Sequence, residues 1–162
     1  MPAYFAERTV EKTFRDIPRE FVDTVILVDD ASKDNTLTVA RQLGIQAHRN
    51  EANLNYGGNV KRCLQLALDS GADIIIQLHP DYQYPPKIGL PMAAMLATGA
   101  YDLCLGTRLS GRRDGHGAMP FWRLLPNRVI TLLMDFCLGT KHTEYHTGYR
   151  AYTRKLLETV PF

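Results

Sequence analysis

Residues 24–36 read Thr24-Val-Ile-Leu-Val28-Asp29-Asp30-Ala31-Ser32-Lys33-Asp34-Asn35-Thr36. An apolar run without alternation suits a strand covered on both faces, as in a parallel sheet. The run stops at an acidic turn in which Asp34 is placed to cap a helix. Leu37, Ala40 and Leu43 then share a helical face that Gly44 closes. Upstream, Val10, Phe14 and Ile17 mark a helix ended by Pro18. Downstream, Val60, Cys63, Leu64, Ala67 and Leu68 repeat with helical spacing up to Gly71, and Ile74-Ile-Ile-Gln-Leu78 is a second buried strand. A helix is predicted after Pro85-Pro86, a strand near Leu103 to Leu105, and a long helix over roughly Phe121 to Leu138. Strand and helix alternate, which predicts one α/β domain over residues 1–162 with a mostly parallel sheet flanked by helices. Ligands of such sheets bind beyond the carboxyl ends of the strands, here the acidic loops after Val28 and Leu78.

Composition narrows the class. With 45% hydrophobic and 22% charged residues the chain is an ordinary globular domain. A net charge of +2 gives no reason to expect a nucleic-acid partner. Arg108, Arg112, Arg113, Arg123 and Arg128 cluster around a single acid, Asp114, which makes either an anion-attracting surface or a solvated loop. Cys63, Cys104 and Cys137 lack zinc-like spacing and suit a reducing compartment. No secretory pattern follows Met1, and the apolar stretch Val129 to Leu138 is interrupted by Asp135 and far shorter than the ~20 residues of a spanning helix. These features predict a soluble protein facing the cytoplasm.

Four short motifs carry chemistry. The Val28-Asp29-Asp30 turn offers strand-end carboxylates to a base or ribose, or merely punctuates a strand-to-helix turn. In His79-Pro80-Asp81-Tyr82-Gln83, Asp81 supplies an oxygen suited to a hard divalent ion that also coordinates phosphate, or caps a turn. Gly106-Thr107-Arg108 and Glu144-Tyr145-His146-Thr147-Gly148-Tyr149-Arg150 each bring an arginine, whose planar fork of donors matches phosphate.

Together with Pro2-Ala3-Tyr4, the order of these motifs resembles family 2 glycosyltransferases of the GT-A fold, nearest to the dolichyl-phosphate-mannose-synthase-like branch. The resemblance covers nearly the whole chain. It implies that Pro2, Ala3, Tyr4 and Glu7 contact the nucleoside, with Phe5 and Ala6 replacing the usual Asn and Glu, and that Asp30 reads the base. It places Asp81, Gln83 and His79 at a Mn²⁺ or Mg²⁺ site, with His79 standing where the family has its first Asp. Arg108 and Arg150 become candidates for holding donor or acceptor phosphate, and Glu144 for a base towards a hydroxyl acceptor. The implied partners are a nucleotide-diphosphate sugar and a polyprenyl-phosphate acceptor, with the protein cytoplasmic and peripheral on the membrane. The resemblance further places an apolar strand in mid-sheet just before the Pro-Ala-Tyr turn. Its absence from this chain implies truncation at the N-terminus and unpaired edges flanking a gap; the family also continues past Phe162.

A second class is a non-catalytic nucleotide-binding remnant of that family, motivated by His79, Phe5 and Ala6. A dinucleotide-binding dehydrogenase is disfavoured, because no G-x-G-x-x-G follows a predicted strand; Tyr56-Gly57-Gly58-Asn59 is read as helix-start packing. For the stripe Phe121, Trp122, Leu124, Leu125, Val129, Leu132 and Leu133, domain core with solvated Arg123 and Arg128 is the first reading. An interfacial segment at a membrane holding the lipid acceptor is the alternative.

Overall fold

The computed structural model describes residues 1–107, 121–141, 145 and 147–162, with the backbone alone for 121–125 and 127. Arg108, Arg112, Arg113 and Glu144 therefore lie outside the described residues. Two three-stranded sheets form the frame. In the first, β1 (Pro2–Ala3), β2 (Ile26–Asp29) and β3 (Gln46–Arg49) run parallel, with Pro2 opposite Val28 and Val28 opposite His48. In the second, β6 (Arg150–Thr153) lies between β4 (Ile74–Gln77) and β5 (Leu103–Leu105) and is antiparallel to both. The parallel pattern read from the sequence thus holds for one half only. Neither β3 nor β6 is visible in the hydrophobic pattern, since both carry polar residues at sheet positions.

Six α-helices accompany the sheets among the described residues. They are α1 (Val10–Arg15), α2 (Thr36–Gln42), α3 (Asn55–Asp69), α4 (Gly89–Ala97), α5 (Phe121–Leu138) and α6 (Arg154–Thr159). Strand alternation divides the core. Ile75 and Tyr152 pack with Leu64 and Leu157 on one side, while Ala151 and Tyr149 pack with Met92 and Leu96 on the other. One cap differs from expectation. Asn35, not Asp34, is the residue before α2, and Asp34 Oδ1 instead accepts the Thr36 N–H at 3.2 Å.

A cavity of about 560 Å³ separates the sheets, lined by Met1, Val25 and Ile26 on one side and Ile74, Ile75 and Ile76 on the other. Beside it the Met1 ammonium donates to Ile26 O at 2.7 Å and Val28 N–H to Met1 O at 3.0 Å, so β1 continues the ladder to its first residue.

Candidate active site

Among the described residues, four non-glycine residues have left-handed backbones: Phe5 (φ 52°), Ala31 (φ 59°), Asn55 (φ 60°) and Tyr82 (φ 59°). They follow β1, β2 and β4 or open α3, so all belong to loops at the carboxyl ends of the strands. Such conformations cost on the order of 1 kcal/mol or more each and persist where the surroundings dictate them, commonly at functional sites.

Asp30 is the hub of the first half of this rim. It is buried, and its Oδ1 accepts Asn50 Nδ2 at 2.6 Å and Leu54 N–H at 2.8 Å, while its own N–H donates to Ala3 O at 2.9 Å. Asn59, in the first turns of α3, donates to Val28 O at 3.1 Å and accepts from Asn50 at 3.2 Å. Arg62 closes the network on Asn50 Oδ1 at 2.7 Å. Asn50 and Asn59 were not picked out from the sequence. The nearest signal was the Gly57-Gly58-Asn59 turn, whose helix-start reading holds: a Cβ on Gly58 would lie 2.8 Å from Leu54 Cβ.

The neighbouring aspartate is framework. Asp29 Oδ1 accepts Ser32 N–H at 3.3 Å, and Oδ2 is buried with no hydrogen bond among the described residues, 3.7 Å from Arg49 Nε. Pro2 and Ala3 are buried in β1, whereas Tyr4 is exposed. Glu7 is turned to α2, where its carboxylate takes Asn35 N–H and Asn35 Nδ2, both at 3.1 Å. Those bonds hold the Glu7 carboxyl below its usual range, the Asn35 N–H contributing most. For Asp34, burial pushes upward, yet the hydrogen bonds from the Thr36 hydroxyl and amide and from Glu7 N–H outweigh it and leave the carboxyl lowered.

The second half centres on His79. Its ring stacks on Tyr56 (centroids 5.4 Å apart) with the Tyr56 hydroxyl 3.3 Å from Nε2. That hydroxyl accepts Gln77 Nε2 at 3.1 Å, and Gln77 Oε1 accepts the Tyr152 hydroxyl at 3.2 Å. The Tyr56 hydroxyl thus links the Gln77 amide to the imidazole, and the direction of its bond to Nε2 follows the tautomer of the His79 ring. A Cβ on Gly148 would lie only 2.6 Å from the same Nε2, so any larger residue there would have to displace the His79 ring. Asp81 is exposed beyond a turn, with Oδ1 accepting Gln83 N–H at 3.0 Å. Since β4 ends at Gln77 and Tyr82 is left-handed, His79 and Asp81 are not neighbours on an extended strand.

The third and fourth motifs meet. Gly106 N–H donates to Tyr149 O at 2.8 Å, the Thr147 hydroxyl donates to Gly106 O, and Tyr84 OH reaches Thr147 Oγ1 at 3.1 Å. Arg150 braces this loop, with Nε donating to Thr147 O at 2.9 Å and a terminal nitrogen to Tyr145 O at 3.3 Å. Tyr149 is buried against Pro86 O (3.0 Å), and burial pushes its phenol up to about 12. The four loops after β1, β2, β4 and β5, the start of α3 and the loop before β6 thus surround one rim.

The model of Glycosyl transferase family 2 matches residues 1–160. The chain belongs to glycosyl transferase family 2. Among family relatives, it is 23% identical to a UDP-N-acetylglucosamine–dolichyl-phosphate N-acetylglucosaminyltransferase of Methanococcus voltae over 99% of this chain and 70% of that protein. It is 28% identical to a dolichyl-phosphate hexose transferase of Haloferax volcanii over 99% of this chain and 67% of the relative. Glucosyl-3-phosphoglycerate synthase from Mycobacterium tuberculosis, crystallised with Mn²⁺, UDP-glucose and phosphoglyceric acid, superposes with a TM-score of 0.74 at 24% identity, over 99% of this chain and 57% of that one. The chain therefore spans roughly two thirds of the length of these two curated relatives and little more than half of the solved structure's. The GT-A-like α/β fold expected from the sequence is shared.

A divalent ion fits this family 2 rim in part. Asp81 is an exposed carboxylate whose Oδ2 makes no hydrogen bond among the described residues, which suits a hard cation. His79 fits less well, because its Nε2 faces the Tyr56 hydroxyl. Among the described residues no cluster of three His, Cys, Asp or Glu side chains is assembled to hold a metal.

Proposed function

We propose that the protein transfers a sugar from a nucleoside-diphosphate sugar to a polyprenyl-phosphate acceptor. The carrying observation is the convergence of the Asp30, Asp81 and Thr147–Arg150 loops on one rim beyond the strand ends. The dolichyl-phosphate acceptors in the names of the two relatives support the acceptor class. In this reading Asp30, held by Asn50 and Leu54, accepts hydrogen bonds from the base, and Pro2, Ala3 and Tyr4 flank the nucleoside. Asp81 and Gln83 would hold a divalent ion, which would offset negative charge developing on the leaving diphosphate. Arg108 and Arg150 hold donor or acceptor phosphate. The bond from the sugar's anomeric carbon to the donor diphosphate breaks as one to the acceptor oxygen forms, and the nucleoside diphosphate leaves. A lipid phosphate is already anionic and attacks without a base; Glu144 would serve a hydroxyl acceptor.

The test is thermal melting with UDP and with GDP, each with Mn²⁺ or EDTA. Ligand at 100 times its Kd adds about 2.7 kcal/mol of stability. The expected result is a Mn²⁺-dependent shift for one nucleotide that Asp81→Ala reduces to the EDTA value. Equal shifts with EDTA, or an unchanged Asp81→Ala response, would remove the metal from the site. A second reading, a non-catalytic nucleotide binder, draws on the engaged Nε2 of His79. Nucleotide binding without release of nucleoside diphosphate from any sugar donor would favour it.

A further inference from the structure

Tyr82 stands between Asp81 and Gln83 with a left-handed backbone (φ 59°), a conformation that is strained in a non-glycine residue and persists where its surroundings impose it. Its side chain reaches the end of α1, 66 residues away in sequence, where the hydroxyl donates to Asp16 Oδ2. The Lys12 ammonium lies 4.0 Å from the centroid of the same ring. Lys12 and Asp16 are four positions apart, so they meet Tyr82 from one side of the helix, one at the ring face and one at its tip. The Asp16 hydrogen bond also holds the Tyr82 phenol above its usual range, which keeps it a donor. Little stability comes from this arrangement, because Lys12 is exposed and Tyr82 and Asp16 are only half-buried. Its consequence is geometric. β4 ends at Gln77, and Asp81 Oδ1 accepts Gln83 N–H at 3.0 Å across the turn whose middle residue is gripped from α1. That helix is itself fixed to the loop after β1, with Val10 N–H donating to Ala6 O at 3.0 Å and Ala6 N–H to Thr36 Oγ1 at 2.8 Å.

We propose that Lys12, Asp16 and Tyr82 are positioning residues that preset the Asp81 carboxylate for a divalent cation. The proposal rests on the metal reading of Asp81 and adds what aims that side chain. A carboxylate on an exposed turn takes many directions, and a cation shared with a diphosphate accepts few of them. Affinity then scales with the fraction of time the turn spends in an accepted arrangement. A turn fixed beforehand avoids the ordering cost that a free one meets on binding. A hydrogen bond at the tip of a ring and a cation over its face suit this purpose, since they constrain direction while burying little apolar surface. The grip also joins the two halves of the rim, because α1 follows the loop of Pro2, Ala3 and Tyr4 while Tyr82 follows β4. Asp81 is thereby held relative to the loop proposed to flank the nucleoside.

The experiment is Mn²⁺ titration of the full chain at fixed UDP, and again at fixed GDP, followed by thermal melting, with the same nucleotide in EDTA as control. The readout is the Mn²⁺ concentration at half-maximal shift. Tyr82→Phe keeps the ring and loses the hydroxyl. Asp16→Ala removes the acceptor and tests the same bond from the other side, including where Tyr82→Phe does not fold. Each should raise the Mn²⁺ midpoint about five- to tenfold, as for a released turn that is competent roughly one time in five to ten. The ligand-free melting temperature and the shift in EDTA should stay at their wild-type values. Asp16→Asn, whose carboxamide oxygen still accepts the hydroxyl, should keep the midpoint within about twofold of wild type. In an Asp81→Ala background, Tyr82→Phe should change nothing further. A wild type that responds to Mn²⁺ beside a Tyr82→Phe variant with the same midpoint overturns the proposal and leaves Asp81 as a ligand. A Tyr82→Phe variant that loses nucleotide affinity equally in EDTA overturns it in favour of a framework role. A wild type without any Mn²⁺-dependent shift removes Asp81 from the metal site, and the proposal with it.

Discussion

Replacing Asp30 by Asn and by Ala separates its framework role from its proposed role in reading the base. In the free protein Oδ1 accepts two donors, Asn50 Nδ2 at 2.6 Å and Leu54 N–H at 2.8 Å. Hydrogen bonds to a charged acceptor contribute about 1.5–3 kcal/mol each, and Asp30→Ala leaves both donors unmatched in a buried place. The expected loss is about 3–6 kcal/mol, which for a domain of this size lowers Tm by on the order of 10 °C or more. In Asp30→Asn the carboxamide oxygen keeps both bonds at neutral strength, so the loss falls to about 1–2 kcal/mol. Its amide group, however, puts a donor where the second carboxylate oxygen stood. A base N–H then meets a donor, and nucleotide affinity should fall roughly 10- to 100-fold, at about 1.4 kcal/mol per factor of ten. Urea unfolding gives the stabilities, and calorimetric titration of the better-binding nucleotide gives the affinities. Wild-type affinity in Asp30→Asn would reduce Asp30 to framework. Wild-type stability in Asp30→Ala would refute the hydrogen-bond accounting itself.

Gly148→Ala places a Cβ 2.6 Å from His79 Nε2 and should force the ring away from Tyr56, costing about 1–3 kcal/mol. The cost should vanish in a His79→Ala background, and an equal cost in both backgrounds would locate the strain elsewhere. Tyr149 supplies a pH signature. Its phenol is raised from 10 to about 12 by burial, so between those values the unfolded chain ionises while the folded chain does not. Stability from this group is full below pH 10 and is lost as pH rises through 12, about 3 kcal/mol in all. Tyr149→Phe should flatten that alkaline limb while costing about 1 kcal/mol near neutrality through the bond to Pro86 O. Coincident alkaline limbs in urea titrations of the two proteins would contradict it.

Local pattern was enough for β2, β4, α3 and the family, because an unbroken apolar run, a 3.6-residue repeat and a short motif are each written within a few adjacent residues. It was also enough to place Asp30 and Asp81 in the loops that follow β2 and β4. Strand β6 was not legible: Arg150-Ala-Tyr-Thr153 is extended because β4 and β5 accept it from either side, a pairing across 73 or more residues for β4. The site's supports share that origin. Asn50, Asn59 and Gln77 are unremarkable polar residues until folding sets their amides against Asp30, Val28 O and Tyr56. In α5 the periodicity correctly announced an apolar face, but a repeat reports only that such a face exists. Only the tertiary structure decided that Val129, Leu132 and Leu133 stand exposed rather than in the core, because the amphipathic pattern is the same whichever way the stripe faces.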